Sequence, residues 1–209
     1  MLPFSQAQFF GVFAEYNTAI WPLQPVAAIL GFAVVLMLRH GPQWRHCAVA
    51  AILAGFWLTM GAGYHWFFFS PINSAAYGFG LLFICAGILF LVEGVVRRRV
   101  EFEWAGGVRG WFAATLIVYG LIVYPSVSLL WLHAYPAMPL FGVAPCPTTI
   151  FTLGVLLLSR YRRPLALSGI PLVWSVIGGS AAILLHVPQD WGLFIAAAAW
   201  LAIHFTHGK

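Results

Sequence analysis

LLFICAGILFLVEGVVRRR (81–99) decides how the rest of this chain is read. An apolar run with a single acid, Glu93, ends abruptly in Arg97, Arg98 and Arg99. Such a junction marks a membrane span meeting the face on which basic residues are retained during insertion. Working outward, the other basic residues obey the same rule. All ten Lys and Arg residues fall in four patches: Arg39/Arg45, Arg97/Arg98/Arg99/Arg109, Arg160/Arg162/Arg163 and Lys209. Each patch stands at the same end of an apolar stretch. Between patches the chain crosses, turns without a basic residue, and crosses back.

Composition agrees. The 209 residues are 62% hydrophobic and 7% charged, whereas a soluble domain carries about 25% charge. The chain reads as one transmembrane domain over 1–209, all-α and multi-pass. The net charge of +5 is loop charge that sets topology, so nucleic acid is not an expected partner. The first residues, MLPFSQAQFF, lack a basic region and a small-residue cleavage site, so no cleavable signal peptide is expected.

A span needs roughly 20 apolar residues. Seven are expected, at about 19–39, 47–69, 74–96, 110–133, 147–159, 165–186 and 189–206. The N-terminus is then outside and the C-terminus inside. Trp21, Trp66, Trp131 and Trp191 would mark the outer interface, and Trp44, Trp104 and Trp111 the inner one. Residues 5–18 place Phe9, Phe13, Tyr16 and Ile20 on one helical face, which predicts a short helix at the outer interface. Pro71, Pro147 and Pro188 are each expected in a first helical turn. Pro125 should kink the fourth span. Gly178-Gly179 should allow close packing. Glu93 stands four residues before Arg97, the spacing of a helix ion pair. Cys47, Cys85 and Cys146 fall at different depths, so no disulfide is expected.

Residues 134–147, AYPAMPLFGVAPCP, are apolar, hold four prolines and cannot form a regular helix. The span after them is too short to cross alone. Irregular apolar backbone is tolerated at membrane depth only inside protein or along a cavity. A re-entrant outer segment is therefore predicted, and such interruptions point to binding sites.

The outer face collects the remaining chemistry. His65, His133, Cys146, His186 and Asp190 form a candidate set of metal ligands, suited to copper or zinc. Glu15, Asn73, Tyr135 and Thr148 would line the same pocket. The spacing holds no compact metal motif, and helix N-termini at this face offer a different use, holding a small polar solute. At the inner face His204 and His207 are three apart, a spacing that more often serves a helix end than a metal. A retinal Schiff base is excluded, since Lys209 is the only lysine. No Walker loop, GxSxG or dinucleotide fingerprint occurs.

The strings YHWFFFSPIN (64–73), AYPAMPLFGVAPCPTTIFTLG (134–154) and VPQD (187–190) resemble those of a family of bacterial multi-pass membrane proteins known only as a domain of unknown function. The resemblance runs over nearly the whole chain and implies a bacterial integral membrane protein of this size, placed in the inner membrane. It implies no activity and no site residue.

The expected function is binding or transport of a small solute or metal cation through an outward-facing pocket. Pro125 and the 134–147 segment would be its movable parts. Two alternatives stand beside it: a membrane metalloenzyme using the same His, Cys and Asp residues to activate water, and a structural subunit of a membrane complex. A homo-oligomer stays open.

Overall fold

A computed structural model describes residues 2–132, 134–161 and 164–207. Helix α1, Gln6–Ala19, opens on a capping box. Ser5 Oγ accepts from the Gln8 N–H at 3.3 Å, and Gln8 Oε1 accepts from the Ser5 N–H at 2.8 Å. Its buried face includes Phe9, Phe13 and Tyr16, as the helical spacing predicts. The chain then turns by 88° into α2, Leu23–Arg39. Asn17 holds that corner, its side-chain amide donating to the carbonyls of Pro136 at 2.7 Å and Met138 at 2.8 Å.

Helices α3, Trp44–Phe69, and α4, Ala76–Val96, form a hairpin. Glycine permits their close approach: a Cβ on Gly61 would lie 2.8 Å from the Gly80 carbonyl oxygen, and one on Gly80 would lie 2.8 Å from that of Gly61. The turn between them differs from the expectation for Pro71. That proline lies in the loop, and Asn73 closes the turn that leads into α4, its Oδ1 accepting from the Ala75 N–H at 3.1 Å.

Helix α5 runs Gly107–Leu130. Pro125 cannot donate to the preceding turn. A π turn, Tyr119–Val123, lies directly before it, a usual way for a helix to absorb such a break. Helix α6, Pro145–Leu157, has all 13 residues buried. It packs against α5, α7 (Pro164–Leu184) and α8 (Trp191–His207). That enclosure explains why its sequence is apolar all round. Residues 138–144 are irregular and mostly buried. Phe141 anchors them, its ring 4.8 Å from Phe151 and 5.5 Å from Phe56.

Seven spans are not what the described residues display. Four helices, α3, α4, α5 and α7, are long and apolar enough to cross a membrane, or up to five spans if α1 and α2 count as one bent pair. Helix α6 is about 20 Å long, against about 30 Å of bilayer hydrocarbon, and has no free face. Helix α8, at 17 residues, is also short.

The arginine-rich end is tied together by specific contacts, more than topology alone requires. Strands β1, Glu101–Phe102, and β2, Ser159–Arg160, pair antiparallel. Glu93 meets Arg97 at 2.5 Å and accepts from the Tyr161 hydroxyl at 2.8 Å. Arg160 pairs with Glu103 at 3.0 Å. The Arg39 guanidinium lies 4.2 Å above the Trp104 ring.

Candidate functional site

Cys146 is the second residue of α6, and its flanking prolines set the backbone there. It forms part of the floor of a cavity of about 120 Å³. Phe9 and Phe13 of α1, Tyr64 of α3 and Trp174 of α7 wall it, with Phe13 stacked on Tyr64 at 5.1 Å. The amide of Gln6 fastens α1 over this end by donating to the Leu185 carbonyl at 2.7 Å. The lining is mainly apolar, with Asn73 and Ser180 among its few polar members.

Behind Cys146 lies a buried acid. Asp190 is 1% exposed and closes the short turn Pro188–Asp190 ahead of α8. Its Oδ1 accepts from the Tyr124 hydroxyl at 2.5 Å. The Cys146 thiol faces Asp190, Tyr124 and Trp174, yet Asp190 Oδ2 and Trp174 Nε1 complete no hydrogen bond. Asp190 stands outside the four candidate spans. Burial pushes its carboxyl up to about 7, opposed by the Tyr124 hydroxyl and the Cys146 thiol, which favour the anion.

The π turn of α5 builds this arrangement. Residues five apart on a regular helix point about 140° away from each other. Tyr119 and Tyr124 nevertheless bring their ring centroids to 6.3 Å. Both then reach the turn before α8: Tyr119 donates to the Gln189 carbonyl at 2.9 Å, and Tyr124 to Asp190. Gln189 in turn donates to Ser128 Oγ at 3.0 Å.

His65 is fully buried in an aromatic box, its ring 4.6 Å from Phe83 and 5.1 Å from Trp174. Neither ring nitrogen has a hydrogen-bond partner among the described residues. Trp174 touches His65 on one side and faces Cys146 on the other.

The predicted residues therefore divide. His65, Cys146 and Asp190 are buried around Trp174 and Tyr124. His186 is exposed, with a positive φ of 53° just after α7. Glu15 and Tyr135 are exposed as well. Thr148 is buried but structural: its hydroxyl donates to the Ala144 carbonyl and accepts from the Gly142 N–H at 2.9 Å. Asn73 lines the cavity while its side chain closes the turn before α4. His133 lies outside the described residues. Among those described, no three His, Cys, Asp or Glu groups are placed to hold a metal ion. Tyr64, Tyr119, Tyr124 and Trp174 were not legible as site residues. Aromatic residues inside apolar spans look like packing, and only the proximity of Tyr124 to Pro125 hinted at a special turn.

An all-α chain whose described residues include four helices, or up to five spans, long and apolar enough to cross a membrane, folded around a short buried helix that starts at a Cys–Asp–Tyr cluster, is the class defined by these features. The chain belongs to a family of unknown function, DUF6064, matched over residues 6–208. No curated protein and no solved structure matches it.

Proposed function

We propose that this is a multi-pass protein of the bacterial inner membrane that binds or transports a small, mainly apolar solute at the cavity on Cys146. Membrane placement is supported by the candidate spans and by large apolar side chains on the outer surface. Leu36, Phe67, Val96, Trp111 and Leu130 are each more than 70% exposed, and lipid would cover them. The arginine-rich end is then cytoplasmic. Helix α1 lies along the outer interface, and residues 134–147 enter from that side to meet α6.

The observation that carries the reading is the position of Cys146. It joins an aromatic-walled cavity to a buried carboxyl that has no basic partner among the described residues. A buried ionisable group is costly inside a membrane protein and commonly marks a functional pathway. A solute in the cavity would meet the thiol first, with Asp190 and Tyr124 behind it. The scarcity of polar lining favours an apolar solute with few hydrogen-bonding groups.

Ala181→Phe tests the reading by filling the cavity from α7. Wild-type protein extracted in mild detergent should release a small molecule on denaturation, identifiable by mass spectrometry. The variant should melt as wild type does and release none. Equal release from both proteins, or from neither, counts against solute binding at this cavity.

A further inference from the structure

The other end of α6 carries a second recess, of different chemistry. It has a volume of about 360 Å³, against about 120 Å³ for the cavity at Cys146. The two are separated by the length of α6, about 20 Å. Arg109, Arg160, Tyr161 and His204 supply its polar wall, while Leu157 and Ile203 supply part of the apolar one. His204 stacks on Trp200 at 4.9 Å.

Arg109 decides the character of this recess. Its Nε donates to the Leu157 carbonyl and its Nη2 to the Ser159 carbonyl at 2.8 Å. These bonds hold it half-buried across the end of α6. A helix C-terminus offers only about half a negative charge, so the guanidinium is not neutralised there. The acids nearby are committed elsewhere. Among the described residues Glu93 pairs with Arg97 and Arg99, Glu103 pairs with Arg160, and no carboxylate reaches Arg109. Arg160 adds a second guanidinium, tied to Glu103 at only one of its nitrogens. Among the described residues the recess thus has two guanidinium groups, with Glu103 paired to Arg160 and Glu93 bonded to Tyr161 beside it, and part of its wall is apolar. Planar guanidinium forks match the oxygens of phosphate and carboxylate groups. Basic pockets between helices at a cytoplasmic membrane face suit phosphate-bearing head groups, whose apolar portion can lie on an adjoining apolar wall.

We propose that this recess binds a phosphate group, with Arg109 and Arg160 as its charged walls and His204 as a donor at its rim. The inference is independent of the solute reading at Cys146. Two sources present the same chemistry: an anionic phospholipid head group and a free phosphate.

The test uses full-length protein in mild detergent. Native mass spectrometry follows retention of phosphatidylglycerol against phosphatidylcholine of the same acyl chains, and a melting assay follows inorganic phosphate. Arg160→Gln/His204→Ala removes two of the proposed contacts and leaves the Arg109 cap on α6 in place. Arg39→Gln removes one charge elsewhere at the same end and serves as the control. The double variant should bind about tenfold more weakly, the loss expected for a charge-assisted hydrogen bond, while the control binds as wild type does. Retention of phosphatidylglycerol with no response to phosphate assigns a lipid head group. Phosphate binding in the melting assay assigns a free phosphate. The proposal is overturned if wild type prefers neither phosphatidylglycerol nor phosphate, if the double variant binds as wild type does, or if Arg39→Gln loses as much.

Discussion

Asp190 shows how much one side chain can carry. It is buried and bonded to Tyr124, and among the described residues no cation pairs with it. With its carboxyl raised to about 7 in the folded protein, the unfolded chain gives up the proton more readily. Stability from this group is complete below about pH 4 and is lost as pH rises through about 7. Melting of the detergent-solubilised protein should therefore fall across that window, by an amount on the order of a few kcal/mol. Asp190→Asn should flatten the profile; the same slope in the variant would assign the effect to another group. Tyr124→Phe removes the one hydroxyl that bonds the carboxyl and should cost about 1–3 kcal/mol. Denaturant unfolding above pH 7 gives the clearest reading, because the anion then loses its donor.

At the scale of elements, α6 is the part around which the others are arranged. Its neighbours approach it through glycine. A Cβ on Gly120 would lie 2.5 Å from the Pro147 carbonyl oxygen and 2.9 Å from the Phe151 nitrogen. Those atoms are backbone inside a buried helix and cannot move aside cheaply. Gly120→Ala should destabilise by about 1–3 kcal/mol as overpacking. Gly55→Ala, on α3 with nothing within 4 Å of the added carbon, should be neutral or stabilising by up to about 1 kcal/mol. Thermal melting of the two variants side by side checks both, and equal melting would mean α6 is less tightly held. Gly120 also lies within the π turn Tyr119–Val123. The same short stretch thus allows the close approach and aims the two tyrosines.

For the whole molecule, the proposed orientation makes a labelling prediction. With Cys47, Cys85 and Cys146 replaced by Ser, Ser74→Cys should react with a membrane-impermeant maleimide in spheroplasts. Arg98→Cys should react only after permeabilisation. The reverse pattern would invert the topology and place the Cys146 cavity on the cytoplasmic side. Copper and zinc allow a separate check. His65, Cys146 and Asp190 are buried in one region, whereas His186 is exposed and Glu15 lies on the surface. Elemental analysis of purified protein should find well under one copper or zinc per chain. A stoichiometric metal lost in His65→Ala would reinstate the metal centre.

Charge and hydropathy patterns were legible before any coordinates. Arginines gathered at one end, an N-terminal helix with an aromatic face, and the Glu93–Arg97 pair all follow from local spacing. The sequence by itself thus determined a helical chain with runs apolar enough to cross a membrane, and it named Cys146 and Asp190 within a wider candidate set that also held His65, His133 and His186. Tertiary structure decided which helices are long and which is enclosed, because an apolar run of 13 residues looks alike whether it faces lipid or protein. It also decided that Tyr124 reaches Asp190, that His186 turns away, and that Arg109 caps α6 from 48 residues upstream. Those outcomes depend on a π turn and on packing between distant segments, and neither leaves a periodic mark in the residues that take part.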